Sequence, residues 1–283
     1  MKIVNKAFLC CVLRLKQWKK DRTIILLFLT DFILIFYYTR DIYSFLKLIR
    51  EPISPWLFTA IYSDHIVSMG LLKVLLYFGV VLLFCNAPFI DRLYMPVVLR
   101  SGRTSWSIGQ TIYIVLASLL YTIFIFVSSI IVIFPRLTFS TEWGKVIGTL
   151  ALTDASFEVP LLIFPWKVIT NYQPMEATAL GLLLVWITCI LIGMILFCLN
   201  SIFSRRIGIC LCCLLILIDP VIKWTGKTEL LLYSPVSWSS LENLATNNIS
   251  NIFRPIDALI VLVILCMLLA VFTIFYHRMK PLE

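Results

Sequence analysis

Three ionisable residues interrupt otherwise apolar runs of this sequence: Asp31, Lys73 and Asp219. An ion surrounded by hydrocarbon is costly, so such a residue marks a pairing partner, a proton relay or a substrate contact. Asp31 is the most interior of the three; it either binds a proton or substrate, or pairs with Lys73. Lys73 lies early in its apolar run, where a long side chain can snorkel outward. Asp219 precedes Pro220 near the end of another run, where water is close.

Other chemistry is missing. There is no phosphate-binding glycine loop and no His-Glu-x-x-His. The two histidines, His65 and His277, are predicted on opposite sides of a membrane, so they cannot share a metal site or a catalytic triad. Cys210-Leu-Cys-Cys213 has no neighbouring histidine or acid and does not make a zinc site. The nine cysteines lie in apolar stretches or in the basic N-terminal segment, which argues against a disulfide framework. An enzyme is therefore not expected, and an intramembrane enzyme is the weakest alternative.

The elements that hold these residues follow from composition. The chain has 283 residues, 61% hydrophobic and 14% charged, with a net charge of +9; mean hydropathy is +0.98. A soluble core of this length cannot hide so much apolar surface, which excludes an aqueous enzyme, a disordered regulator and a soluble nucleic-acid binder. Six segments read as membrane spans: about 23–38, 66–88, 109–134, 177–203, 207–222 and 257–276, with Pro88, Pro135 and Pro220 as stops. The fold class is all-α and polytopic, with a six-span domain over 23–283. With the N-terminus inside, the short inner segments carry fourteen basic residues against nine in the longer outer ones, so both termini are expected in the cytosol.

Residues 1–22 read as an amphipathic interfacial helix. Val4, Ala7, Phe8, Cys11, Leu15 and Trp18 share one face, and Lys2, Lys6, Lys16 and Lys20 the other. Arg14 breaks the apolar run, and no small-residue cleavage site follows, so a signal peptide fits less well. The outer connections 39–65, 135–176 and 223–256 contain proline-broken apolar pieces, read as interfacial or re-entrant segments over the outer mouth. Asn248-Ile249-Ser250 matches a glycosylation sequon, a pattern that recurs by chance.

The first inner loop is the most informative stretch. Asp91-Arg92-Leu93-Tyr94-Met95-Pro96-Val97 can form a short amphipathic helix with Leu93 and Val97 one turn apart. Arg100-Ser101-Gly102-Arg103 then makes a basic turn, and Trp106 anchors the next span at the interface. With the basic N-terminal helix, the six spans and a very short second inner loop (204–206), this order resembles the permease subunits of bacterial ATP-binding-cassette transporters of the type 2 exporter class. Tyr94, Arg100–Arg103, Trp106 and Gly109-Gln110 are similar to the first inner loop of that family, and Ser234-Pro235-Val236-Ser237-Trp238 to the segment before its last span. The resemblance implies an elbow helix at the N-terminus and a coupling helix around 91–100, with Asp91, Arg92, Leu93, Tyr94, Val97, Arg100 and Arg103 meeting a separate cytosolic ATPase. Its further implications are a second permease copy, identical or homologous, two ATPase copies holding ATP and Mg, no cofactor in this chain, and export of a peptide, antimicrobial or drug across a bacterial cell membrane. The long segment 135–176 departs from the family pattern. The alternative is an ion-coupled secondary transporter using Asp31.

Overall fold

The structure is a computed structural model, and it describes residues 2–63, 70–89, 94–162, 164–245 and 253–279. It is a helical bundle with several long apolar helices. The helices are α1 (Lys2–Gln17), α2 (Arg22–Ile49), α3 (Phe58–Ile61), α4 (Leu71–Phe84), α5 (Tyr94–Ser101) and α6 (Arg103–Ile133). They continue with α7 (Gly144–Leu152), α8 (Trp166–Asn171), α9 (Pro174–Ile202), α10 (Arg205–Trp224), α11 (Leu241–Leu244) and α12 (Pro255–Met279). Among the described residues, α2, α6, α9, α10 and α12 are long and apolar enough to cross a membrane. The described part of the second predicted span is α4, whose 14 residues rise about 21 Å, less than a hydrocarbon core.

Helix ends follow local chemistry. The Asp21 carboxylate accepts from the Thr23 amide at 3.0 Å and caps α2. Pro174 occupies the first turn of α9, where its missing N–H costs nothing. Several boundaries differ from expectation: α1 ends at Gln17 rather than 22, and α6 begins at Arg103 rather than 109. α2 does not stop near 38 but continues to Ile49, ending at Arg50 in the left-handed region (φ 56°). α10 passes through Pro220 and runs to Trp224; the ring removes one backbone donor there, but the flanking turns hold the helix.

α9 is the axis. In its most apolar stretch 67% of the residues are buried, against 28% for α2, 22% for α10 and 17% for α12. α9 packs against α4, α6, α10 and α12, whereas the outer helices turn apolar side chains such as Ile25, Ile33, Ile264 and Leu268 away from the bundle. Soluble proteins do not expose apolar surface on this scale, and lipid removes the penalty.

The two ends of the bundle are built differently. At the end that holds α1 and α5, which we term the near end, helices join through tight connections. At the far end the long connections fold into a cap. There Ile53 pairs with the 136–138 strand segment, donating to the Arg136 carbonyl and accepting from Thr138, both at 3.0 Å. The Arg136 guanidinium donates to the Leu46 carbonyl at the end of α2. Ser54 Oγ donates to the Trp143 carbonyl at 2.6 Å, Trp56 Nε1 to the Ser140 carbonyl at 2.9 Å, and Trp143 Nε1 to the Tyr172 carbonyl at 3.0 Å. Each indole thus satisfies its donor while its ring covers apolar surface. The segment Ser234–Ser240 is largely buried within this cap, with Ser237 Oγ 2.6 Å from the Leu231 carbonyl and 2.7 Å from the Ser234 carbonyl, one of which takes its proton.

Candidate functional site

The three charged residues resolve into two sites. Lys73 on α4 meets Asp219 on α10, with Nζ 2.6 Å from Oδ2 and both side chains 0% exposed. Lys223, one turn along α10, donates to the same oxygen at 2.8 Å. Two expectations are thereby corrected: Lys73 does not snorkel outward, and it pairs with Asp219 rather than with Asp31. The reason is placement. Lys73 is the third residue of α4, level with the last turns of α10, and α4 and α10 pack together. A buried charge keeps its ionisation only with a close partner.

Asp31 is buried near the middle of the bundle, on the face of α2 that packs against α4 and α6. Its Oδ2 lies 2.8 Å from the Tyr121 hydroxyl on α6, and that hydroxyl also lies 2.7 Å from the Leu76 carbonyl on α4. Gly79 makes the meeting possible, because a Cβ there would fall 2.5 Å from Tyr121 Oη and 3.0 Å from Asp31 Oδ2. Neither Tyr121 nor Gly79 stands out in sequence. The available signal was a lone tyrosine in the run Leu119-Leu120-Tyr121-Thr122 and a lone glycine in Tyr77-Phe78-Gly79-Val80.

At the near end, α1 lies on the start of α6. Ala7, Cys10 and Cys11 are its buried face, while Val4 and Phe8 point away from the protein with Ile3, Leu9 and Leu13. The predicted single apolar face is therefore split: Ala7 and Cys11 are buried, Leu15 and Trp18 pack against the core, and Val4 and Phe8 are left for lipid. Gly109 sets the approach, since a Cβ there would stand 2.7 Å from the Ala7 carbonyl oxygen and 2.8 Å from Cys10 Cβ. Burial pushes the Cys10 and Cys11 thiols up, which suits packing rather than reactivity. Trp18 Nε1 donates to the Tyr113 hydroxyl at 2.9 Å, so the turn after α1 is also fastened to α6.

Asp91, Arg92 and Leu93 lie outside the described residues, as do His65 and the Asn248–Ser250 sequon. Tyr94 opens α5, whose buried anchor is Val98 rather than Val97; the next residue, Leu99, is 74% exposed beside an exposed Arg100. Lys6 Nζ on α1 donates to the Arg100 carbonyl at 3.1 Å. Gly102, at φ 85°, turns the chain directly from α5 into α6, a conformation that disfavours residues with a Cβ. Arg103 is the first residue of α6 and is half-buried. Trp106 is buried against Phe197 and His277, with ring centroids 6.3 and 5.2 Å away, so it anchors through protein packing and not at the lipid interface.

His277 Nε2 lies 3.1 Å from Ser201 Oγ, yet that hydroxyl donates to the Phe197 carbonyl at 2.6 Å. Among the described residues no group of three His, Cys, Asp or Glu is placed to hold a metal ion. Comparison with known proteins finds no matching family model, no matching curated protein and no matching solved structure.

Proposed function

We propose that this membrane protein is the transmembrane permease subunit of a bacterial ATP-binding-cassette exporter. It would form a translocation path with a second permease copy and be driven by two separate cytosolic ATPase subunits. The observation that carries the reading is the near-end assembly. α5 is a short helix with Leu99 and Arg100 turned outward, and three attachments tie it to the bundle: Val98 in the core, Lys6 from α1, and Gly102 leading into the 31 residues of α6. A push on α5 is therefore delivered to α1 and α6 together. That is what a coupling lever needs, because an effector shifts a conformational equilibrium only through contacts that differ between its states.

In this mechanism ATP draws the two ATPases together, their movement is carried through α5, and the bundles rock to open a path outward. The chain itself supplies no catalytic residue. Its aromatic content of 14% suits an amphipathic or hydrophobic cargo such as a peptide, antimicrobial or drug. The test is co-expression with the neighbouring genes, mild detergent extraction and mass spectrometry of what copurifies. A stoichiometric ATPase is expected, lost on the triple change Leu99→Ser, Arg100→Glu, Arg103→Glu without loss of membrane insertion. A chain that purifies alone, or an ATPase that stays bound to the triple variant, overturns the coupling assignment.

A second reading rests on the Asp31 site. One hydroxyl proton on Tyr121 cannot serve both Asp31 Oδ2 and the Leu76 carbonyl, whereas a proton on Asp31 would satisfy both contacts. An ion-coupled carrier would use such a group. It predicts that Asp31→Asn abolishes transport driven by a pH gradient in liposomes holding this chain alone.

A further inference from the structure

Charge is distributed unevenly between the two ends of the bundle. In sequence the far-end connections 39–65, 135–176 and 223–256 balance nine cations with nine acids, whereas residues 1–22 hold seven cations and one acid, Asp21. Four of those seven fall within seven residues at the junction of α1 and α2: Lys16, Lys19, Lys20 and Arg22. All four are exposed, and no ion pair engages them among the described residues. Asp21 has an oxygen committed to capping α2 through the Thr23 amide. The junction is also held in place. Trp18 Nε1 donates to the Tyr113 hydroxyl of α6, and its ring lies 5.8 Å from that of Phe28 on α2.

We propose that this junction is a docking surface for the anionic phospholipid headgroups of the near leaflet, which gather around it in preference to zwitterionic ones. Its surroundings select the partner. On α1 the exposed side chains before the cations include Phe8, Leu9 and Leu13; on α2 the first exposed apolar ones after them are Ile25 and Leu26. Ile25 and Leu26 follow Arg22 by three and four residues, about 5 Å further along the helix. The cations therefore stop where the lipid-facing surface starts, which is the level of the lipid phosphates. An acidic soluble partner could meet the cations but would leave the flanking apolar side chains bare, whereas a charged leaflet covers both. Four cations spread over two helices and a turn suit an array of headgroups better than one free anion. Such a surface would serve an exporter or a carrier alike.

The experiment reconstitutes the full chain in phosphatidylcholine bilayers doped with spin-labelled phosphatidylglycerol or spin-labelled phosphatidylcholine. Electron paramagnetic resonance then reports how strongly each lipid associates with the protein. Averaged over every lipid in contact, phosphatidylglycerol should be favoured about twofold or more at low salt. The preference should fade in about 1 M salt, where charges are screened beyond about 3 Å. Inorganic phosphate should weaken it no more than chloride at the same ionic strength. Replacing Lys16, Lys19, Lys20 and Arg22 together by Gln should remove most of it. Replacing the three lysines by Arg keeps the charge and should preserve it. Replacing Arg40, Lys47, Arg50 and Lys145 by Gln, all at the far end, should leave it unchanged. Equal association of the two lipids, a preference that survives high salt, specific displacement by phosphate, indifference to the near-end Gln set, loss with the Arg set, or an equal loss with the far-end set would each overturn the proposal.

Discussion

Asp219 and Asp31 are both withdrawn from solvent on helices whose outer faces are apolar, but their neighbours differ in kind. Asp219 faces two lysines, one from α4 and one from its own helix. Asp31 faces a tyrosine hydroxyl, and no cation pairs with it among the described residues. The first site joins α4 to α10 beside the far-end cap; the second joins α2, α4 and α6 in mid-bundle. A carboxylate held by ammonium groups from α4 and α10 ties the two helices together. A carboxylate met only by a neutral donor can gain or lose a proton without leaving a buried cation behind. The contrast points to a structural role for the charged site and sets the mid-bundle site apart as a carboxylate that meets a hydroxyl and no cation among the described residues.

The largest effect should come from breaking the charged site. Asp219→Leu removes the carboxylate that faces fully buried Lys73, and breaking a buried pair from one side costs about 3–5 kcal/mol. Lys73→Met should cost less, because Lys223 still holds Asp219. The double replacement should recover part of the loss, with a coupling of about 0.5–3 kcal/mol in a double-mutant cycle. Denaturant titration in detergent measures all three. If Asp219→Leu were tolerated as well as Lys73→Met, the structural role would fall.

At the mid-bundle site the losses should be smaller. Tyr121→Phe deletes the hydroxyl shared by Asp31 and Leu76 and leaves a buried polar group without its donor, a cost of about 1–3 kcal/mol. Gly79→Ala forces a methyl into the space between Tyr121 and Asp31, with an overpacking cost of about 1–3 kcal/mol. Gly148→Ala is its control: α7 leaves open space around that position, so the gain in helix propensity, up to about 1 kcal/mol, should appear unopposed. Equal responses at the two glycines would remove the close approach that defines the Asp31 site.

Sequence carried much of this architecture because apolar run length needs no tertiary information. Each of the six expected segments has a helix, and the N-terminal segment is helical from Lys2 to Gln17. What escaped was everything decided by contact between distant segments. Whether Lys73 meets Asp31 or Asp219 depends on the packing of α4 and α10, which hydropathy does not encode. Val97 and Val98 are equally apolar in sequence, and only the roll of α5 against α6 chooses Val98 as the buried one. Trp106 has the composition of an interfacial anchor, yet Phe197 and His277 from distant helices enclose it. Gly109 was visible as part of a motif, but its reason is the Ala7 carbonyl, which lies on another helix.

The smallest change asks whether the charged site depends on its outer partner. Lys223 is 14% exposed and lies one turn from Asp219 on the same helix, so its ammonium keeps some contact with solvent and its attraction is weakened. An i,i+4 pair at a helix surface is worth about 0.3–0.5 kcal/mol, and partial burial raises that only modestly. Lys223→Gln should therefore cost under about 1 kcal/mol, because Lys73 still balances the carboxylate. Tyr121→Phe, which removes no charge at all, should cost more. That inversion follows directly from the contrast between the sites: Asp219 has a second partner to fall back on, and Asp31 has one hydroxyl. If unfolding titrations place Lys223→Gln above Tyr121→Phe, then Lys223 and not Lys73 is the main counter-ion of Asp219, and α10 holds its own charge without help from α4.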